Sequence, residues 1–236
     1  MKLVGSIRLL KSTSKVSLVI FTLVVSMVAG GYSNQVHAND EQVDLNRQAL
    51  AAARSGNAKT FKSFIELGAS PNTRNRVGDS LLMTSIKSGQ MEIMLLLLER
   101  GADVNLANVA QVTPLMTAAF YGRPAMARIL IDKKANVNAV DQMQKSAIVY
   151  AAGTGQTEIV NMLLKTGPAS GITPNTRYPN GLTALMWAGA SGHLPTVQAL
   201  LDQGADASLV DNRGKTVLQM ADENGQLEVV KFLRSR

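Results

Sequence analysis

The sequence predicts an all-α repeat solenoid, a row of stacked helix-turn-helix units in which each unit packs on its neighbours. Segments that begin with Ser or Thr recur at spacings of 33, 33, 37 and 33 residues, at Ser80, Thr113, Ser146, Thr183 and Thr216. A glycine follows each of them nine positions later, at Gly89, Gly122, Gly155, Gly192 and Gly225. Self-similarity at a fixed period of this length is typical of stacked repeats.

Residues 113–131 explain why one unit is a pair of helices. Thr113 can cap the first helix with its hydroxyl group, and Pro114 at the first helical position loses no needed backbone donor. Gly122 supplies the left-handed turn that ends this helix. The second helix has inward-facing apolar residues, at Met126, Ile129, Leu130 and Ile131.

The equivalent second helix of the preceding unit, MEIMLLLLERG, is apolar almost all round. A helix of this kind is expected between neighbours, so we predict that Leu95 to Leu98 lie in the core. Met83, Met116 and Met186 recur at one repeat position, and we expect them to fill space between layers and not to bind metal.

Further positions mark where units end and where the stack ends. Gly68, Gly101, Gly167 and Gly204 recur after the second helices, and Lys134 takes the place of the missing member. In the last unit, Gln219 and Asp222 replace residues that are apolar or small in most internal units. A polar outer face on a terminal repeat keeps such a stack soluble.

The predicted organisation is a signal peptide, a short lead and six units of which the outer two act as caps. The boundaries are 1–38 for the signal peptide, 39–44 for the lead, 45–74 for the N-terminal cap, 75–107, 108–140, 141–177 with a four-residue insertion, 178–210, and 211–236 for the C-terminal cap.

The motifs TPLMTAA, TALMWAGASG, GADVN and GADAS, together with the period, resemble ankyrin repeats over residues 45–236. The resemblance implies L-shaped units with a projecting β-hairpin-like finger, and a concave face that binds other proteins. The family usually has His after Thr-Pro-Leu, where this chain has Met83, Met116, Val149, Met186 and Gln219. We therefore expect this turn to depend more on packing than on a histidine hydrogen bond.

The N-terminal segment is typical of an export signal. Residues 1–38 contain Lys2, Arg8, Lys11, Lys15 and no acid, and so supply four of the seven net positive charges. An apolar run follows Lys15, and Val36-His37-Ala38 predicts cleavage between Ala38 and Asn39. The alternative is an uncleaved anchor helix in the inner membrane that faces the periplasm. The chain contains no Asn-x-Ser/Thr sequon, which favours a bacterial periplasm over a eukaryotic secretory route.

The exported part offers little catalytic chemistry. Without Cys, and with His193 as its single histidine, it lacks the common zinc and nucleophile sets. His193 follows a turn glycine, so we expect a structural role. The stretch RGKT at 213–216 resembles the end of a phosphate-binding loop, but Leu209 stands where its first glycine is required. We predict no enzyme activity, no metal and no cofactor; a carboxylate or Ser hydrolase in the groove is the rival.

The predicted partner surface combines finger tips with the exposed side of the first helices. Its members are Arg76, Asp79, Lys87, Val112, Phe120, Tyr121, Met143, Lys145, Tyr150, Arg177, Tyr178, Asn180, Trp187, Arg213 and Lys215. Aromatic residues and Arg are over-represented at binding hot spots. For Trp187 the alternative is packing between repeats. Arg177 and Tyr178 are included because the insertion at 167–175 lengthens one connection, and insertions in solenoids map to loops that are often on the binding face.

The sequence thus predicts a non-enzymatic, monomeric periplasmic protein that binds another protein and neither nucleic acid nor, after cleavage, a membrane. The net charge outside the signal peptide is too small to predict a nucleic-acid partner. Two narrower alternatives stay open: an immunity or inhibitor protein for a periplasmic toxin or enzyme, and a membrane-tethered periplasmic scaffold.

Overall fold

The computed structural model describes residues 40–166 and 171–236, and the structural statements below concern these residues. They belong to two compact units, one that ends at Arg47 and one from Gln48 to Arg236. Of the first unit, only residues 40–47 are described, and they are helical. The predicted signal peptide and its cleavage site at Ala38 and Asn39 lie outside the described residues.

Six helix pairs make up the unit that begins at Gln48. They are α1 (48–55) and α2 (Ala58–Glu66), α3 (Leu81–Lys87) and α4 (Met91–Glu99), α5 (Pro114–Phe120) and α6 (Pro124–Asp132), α7 (Ala147–Gly153) and α8 (Thr157–Lys165), α9 (Ala184–Ala190) and α10 (Leu194–Asp202), and α11 (Val217–Glu223) and α12 (Leu227–Arg234). No strand is assigned among the described residues, apart from isolated bridges within two connections. The all-α solenoid is therefore confirmed. In the described part of the chain, no helix combines the length and apolar character needed to cross a membrane.

The helices form two layers. Among the first helices, α3, α5, α7, α9 and α11 stack in sequence, and among the second helices α6, α8, α10 and α12 do the same. Each of these five first helices has seven residues, and the predicted Ser or Thr caps four of them; the exception is α7, where Ser146 makes no side-chain cap bond. The core therefore runs continuously between the layers, with Leu115, Leu130 and Ile148 among its fully buried residues.

The residue immediately before each second helix crosses the boundary between its own unit and the preceding unit, here called the seam. Gln90, Arg123, Gln156, His193 and Gln226 lie over Gly56, Gly89, Gly122, Gly155 and Gly192, respectively. Gly122 has a φ of +60°, which favours glycine, and a Cβ atom there would stand 2.6 Å from Gln156 Oε1 and displace that side chain. His193 belongs to this series, and its Nε2 atom lies 3.1 Å from the carbonyl oxygen of Gly153.

The position that the family gives to His is filled differently here. Met83, Met116 and Met186 are buried, as expected for packing between layers. In addition, Met116 Sδ accepts a hydrogen bond from the backbone N–H of Thr113 at 3.4 Å, and Gln219 Oε1 accepts one from Thr216 at 2.8 Å. Hydrogen bonding at this turn is thus kept in two units.

The prediction for the leucine run of α4 is wrong in part. Leu97 is fully buried, but Leu95 is 41% exposed, and Leu96 and Leu98 are half-buried. The second helices form the outer layer, so one side of α4 faces solvent even though its sequence is apolar all round. Lys134 has a φ of +65°, the left-handed conformation of the glycines it replaces. At the end of the stack, Gln219 and Asp222 are exposed as predicted.

Candidate binding surface

Five fingers connect the helix pairs, and all are closed in the same way. In each, a backbone N–H donates to the carbonyl oxygen four residues later at 2.8 to 3.0 Å, in the pairs Asn75–Asp79, Asn108–Val112, Asp141–Lys145, Tyr178–Leu182 and Asp211–Lys215. Antiparallel bridges at Arg74–Ser80 and Val140–Ser146 give two fingers a hairpin character. The fingers implied by the family resemblance are therefore present.

Short polar side chains hold four of the five fingers in shape. The Oδ1 atom of Asn108 accepts from the backbone N–H groups of Ala110 and Val112, both at 3.0 Å. Equivalent bonds are made by Asn75, Asp141 and Asp211. Asn and Asp favour such turns because their side chains reach the backbone two residues on. The fourth finger has Tyr178 at this position and lacks the anchor.

A ladder of hydrogen bonds joins the second finger to the third and the fourth finger to the fifth. Gln142 donates from its backbone N–H to Ala110 at 3.0 Å and from its side chain to Val109 at 2.9 Å. Further along, Asn212 donates to the carbonyl oxygen of Asn180 at 2.8 Å. The fingers therefore form a pre-ordered surface, and little conformational entropy remains to be lost there on binding.

Arg177 and Tyr178 contribute to this ladder and to packing. The guanidinium group of Arg177 donates to Val210 O at 2.9 Å and to Gly181 O at 3.4 Å. Tyr178 is half-buried, and burial raises the pKa of its phenol. The structure thus gives both residues contacts within the stack, and the partner contact predicted for them stays a prediction. Residues 167–170 of the insertion lie outside the described residues.

The surface formed by the finger tips and first helices, here called the finger face, has an ion pair at each end. Lys87 Nζ lies 2.6 Å from the buried carboxylate of Asp79, which also accepts from Asn108 Nδ2 at 2.9 Å. Burial alone raises the pKa of Asp79, but the bonds from Lys87 and Asn108 outweigh it and leave the pKa below its usual value. At the other end, Lys215 Nζ lies 2.5 Å from Glu223 Oε1.

The middle of the finger face is aromatic. Phe120 and Tyr121 are 49% and 44% exposed, and their rings meet edge to face at 5.2 Å between centroids. Phe120 also meets Tyr150 edge to face at 5.9 Å. Such pairs stabilise beyond their buried area, so this cluster is held in a defined arrangement although two of its rings face solvent.

A hydrogen bond to Asp141 holds the side chain of Tyr150 in place. Its hydroxyl group donates to Asp141 Oδ2 at 2.5 Å. Burial, with the adjacent carboxylate of Asp141, raises the pKa of Tyr150 well above its usual value. The phenol therefore stays neutral and is committed as a donor to Asp141.

Lys145 extends over the aromatic middle. Its Nζ atom lies 4.7 Å from the centroid of the Trp187 ring and 5.9 Å from that of Tyr150. Both distances are within the range of cation–π attraction. Trp187 is half-buried, so it both packs between repeats and supports this lysine.

Two shallow depressions border these residues and share Phe120 and Tyr150 as their common wall. The larger, about 240 Å³, is lined by Lys87, Asn108, Val112, Met116, Thr117, Phe120, Tyr121 and Tyr150. The smaller, about 150 Å³, is lined by Phe120, Lys145, Val149, Tyr150, Gly153, Thr154, Trp187 and Ser191. Their shape suits side chains of a partner and not an enclosed small molecule.

The remaining predicted residues differ in their surroundings. Arg76, Met143 and Asn180 are exposed on finger tips. Arg213 pairs with Asp211 at 2.8 Å, and hydrogen bonds from Lys215 and Arg213 overcome the effect of burial to lower the pKa of Asp211. The face is therefore a set of local contacts and not one convergent site.

Sequence reasoning missed the residues that hold the face in place. Asn108 and Asp141 position Asp79 and Tyr150, and neither was among the predicted site residues. The available signal was the recurrence of Asn or Asp at one repeat position, at Asn75, Asn108, Asp141 and Asp211. In the described residues, no three His, Cys, Asp or Glu side chains are grouped so that they could hold a metal ion.

Comparison with known families identifies the repeat. A family model described as "Ankyrin repeats (3 copies)" matches residues 23–108, 48–141, 107–177 and 148–236, which together cover most of the chain. Successive matches overlap, over 48–108, 107–141 and 148–177, as expected when a model of several repeats is matched to an array of them.

Similar curated proteins also contain these repeats. The chain is 38% identical over 76 residues to "Ankyrin repeat and KH domain-containing protein mask-1" of Caenorhabditis elegans, and 37% identical over 76 residues to "Ankyrin repeat and KH domain-containing protein CBG24701" of Caenorhabditis briggsae. It is 44% identical over 55 residues to "Ankyrin repeat and SAM domain-containing protein 6" of Mus musculus. These alignments cover 32%, 32% and 23% of this chain, but only 3%, 3% and 6% of the relatives' lengths.

Proposed function

Since this chain belongs to the ankyrin-repeat family, whose members typically act as non-enzymatic interaction modules, we propose that it binds another protein through its finger face. The observation that carries the proposal is the partly exposed aromatic cluster of Phe120, Tyr121 and Tyr150 beside Lys145. Exposed rings of this kind mark interaction sites, because aromatic side chains bury much area at low entropic cost.

The ladder between the fingers supports a mechanism of rigid display. Each finger is held by an Asx anchor or by bonds to its neighbour, so the partner meets a surface that is already formed. Association then loses less side-chain and loop entropy than binding to a mobile surface would. On this basis the chain offers shape and contact chemistry, and its partner supplies any reactivity.

We further propose that the repeat domain acts in a bacterial periplasm. The support is the sequence of residues 1–38, in which a basic stretch and an apolar run precede Val36-His37-Ala38. N-terminal sequencing of the exported product is expected to begin at Asn39. A product that retains residues 1–38 in the membrane fraction would favour the tethered scaffold instead.

Photocrosslinking in intact producing cells tests the binding surface. A photoreactive phenylalanine analogue in place of Tyr121 is expected to give a discrete covalent adduct with one protein, because this ring faces solvent in the middle of the finger face. Leu95 is the matched control position, since it is 41% exposed but lies on α4 in the outer layer. We expect no such adduct from that position.

The comparison between the two positions decides the outcome. Adducts of equal yield and identity from Tyr121 and Leu95 would mean that the finger face is not the binding surface. The absence of any protein adduct from Tyr121, with full expression of the variant, would count against the proposal as well.

A further inference from the structure

One pair of repeat positions on the finger face is an ion pair in two units and a lone lysine in a third. The pair joins the last finger residue before the cap to the last residue of the first helix. It is Asp79 and Lys87 in one unit and Lys215 and Glu223 in the final unit. Both pairs form ion pairs, with the charges exchanged between finger and helix, at 2.6 and 2.5 Å.

In the central unit the same two positions are Lys145 and Gly153. Gly153 has no side chain, so the helix supplies no carboxylate opposite the finger lysine. Lys145 instead lies over Trp187 and Tyr150, and it takes part in no ion pair among the residues that the structure describes. This unit therefore has a lysine without the oppositely charged side chain that the other two units supply at the paired position.

The carboxylate nearest in sequence to this lysine is already engaged. Asp141 is buried and accepts from the Tyr150 hydroxyl group at 2.5 Å and from the backbone N–H of Lys145 at 2.8 Å. It fixes the finger and the ring beneath Lys145. The ammonium group is thus held in position by two rings, and its charge remains available to a partner.

The larger depression lies on the other side of the shared Phe120–Tyr150 wall. Val112, Met116, Phe120 and Tyr121 are among the residues that line it. Lys87, which also lines this depression, is neutralised by its ion pair with Asp79, so Lys145 beyond the wall is the cation left to attract a bound carboxylate. A carboxylate next to a bulky apolar side chain matches both features, since the first pairs with Lys145 and the second fills the depression.

We propose that the finger face binds an acidic peptide segment of its partner, in which an Asp or Glu carboxylate pairs with Lys145 and a neighbouring apolar side chain enters the depression beside Phe120. This inference rests on the proposed function and specifies the chemistry of the bound segment. The partner carboxylate takes the place that Glu223 has opposite Lys215. Preorganisation of Lys145 on Trp187 lowers the entropic cost of forming the pair.

A substitution at Gly153 can supply this carboxylate from the chain itself. A Cβ atom at Gly153 would meet only Trp187 Cε3, at 3.7 Å, which is ordinary contact. Gly153 ends α7 and has no positive φ. Gly153→Glu therefore recreates the pair found at Lys215 and Glu223, and Gly153→Gln matches it in size without the charge.

The probe is a phage-displayed library of random short peptides, selected on the immobilised full chain. Enriched peptides are expected to contain Asp or Glu near a large apolar residue. Their affinity should fall by about tenfold or more in Gly153→Glu and by less than about threefold in Gly153→Gln. Lys145→Glu should have the same effect as Gly153→Glu, whereas Lys59→Glu, an equal charge change on α2, should have none.

Replacement of the acidic residue of an enriched peptide by Lys provides a charge-swap test. This peptide should lose affinity for the unaltered chain and regain it with Lys145→Glu. Equal losses in Gly153→Glu and Gly153→Gln would overturn the proposal, because volume and not charge would then be responsible. A library without any binding peptide would overturn it too.

Further variants separate this inference from the proposed function. Peptides that lose affinity in Phe120→Ser but are insensitive to Lys145→Glu would refute the acidic segment and leave the finger face as the binding surface. Peptides insensitive to all of these finger-face substitutions would contradict both.

Discussion

The seam between successive units and the finger face differ in how they use the repeat. At the seam, Gln90, Arg123, Gln156, His193 and Gln226 differ in chemistry but perform one task, covering the turn glycine of the preceding unit. On the finger face, one repeat position holds Asp79, Val112, Lys145, Leu182 and Lys215, and these residues have different contacts. At the seam, the side chains take the same position in every unit. On the finger face, only the backbone conformation is the same from unit to unit.

This difference separates the residues that hold the units together from the residues that are exposed for binding. A unit of this size cannot bury enough apolar surface to offset its ordering entropy, so every seam must form. The finger face has no such requirement, because its backbone is fixed by Asx anchors and by bonds between fingers. Its side chains can therefore change from unit to unit without loss of the fold, and this freedom is what a binding surface needs.

The largest expected effect belongs to the core that the stacked units share. Leu130 is fully buried in α6 between layers. Leu130→Ala is expected to lower the free energy of unfolding by about 2–5 kcal/mol, since it removes apolar contacts and leaves a cavity. Denaturant titration followed by circular dichroism measures this change. A loss below about half a kcal/mol would show that the layers are not packed on Leu130, and the comparison would lose its basis.

An intermediate effect is expected where the face contributes to stability. Asp79 is buried, with a lowered pKa, and accepts from Lys87 and Asn108. Because its pKa is lower in the folded state, its stabilisation is present above about pH 4 and is lost as the pH falls through the folded-state pKa. Asp79→Asn should cost about 1–2 kcal/mol at neutral pH, as expected for a charge-assisted bond that is partly exposed.

The pH dependence of that cost is the sharper measurement. The difference in unfolding free energy between Asp79→Asn and the unaltered chain should shrink as the pH is lowered below about 4. The ion pair of Lys215 and Glu223 is more exposed than Asp79, so its removal can be compared over the same pH range. A cost that stays constant over the acid range would mean that the carboxylate charge of Asp79 is not what stabilises the finger.

The period made most of the fold predictable from sequence. Ser80, Thr113, Thr183 and Thr216 cap first helices as their spacing predicted, and Lys134 takes the left-handed turn of a missing glycine. The exposure of Leu95 was not predictable in the same way, because α4 is apolar all round and a pattern without polar residues does not indicate which side faces solvent.

The candidate site was less predictable, since its geometry depends on contacts between units. The sequence placed Lys145, Tyr150 and Trp187 on one face, but not the lysine over both rings. It also did not indicate that Arg177, although exposed, donates to the next finger. Spacing identifies the repeat position of a side chain, whereas its partners lie one repeat away and depend on residues at other positions.

The smallest expected effect belongs to the finger tip. Met143 is 68% exposed between Gln142 and Gln144, and the finger is closed by backbone bonds and by Asp141. Met143→Ser should therefore change the free energy of unfolding by less than about 0.5 kcal/mol, as is usual for surface positions. The denaturant titration used for Leu130→Ala measures it under the same conditions. A loss above about 1 kcal/mol would show that tip side chains help to hold the stack, and the division between seam and face would then have to be redrawn inside the finger.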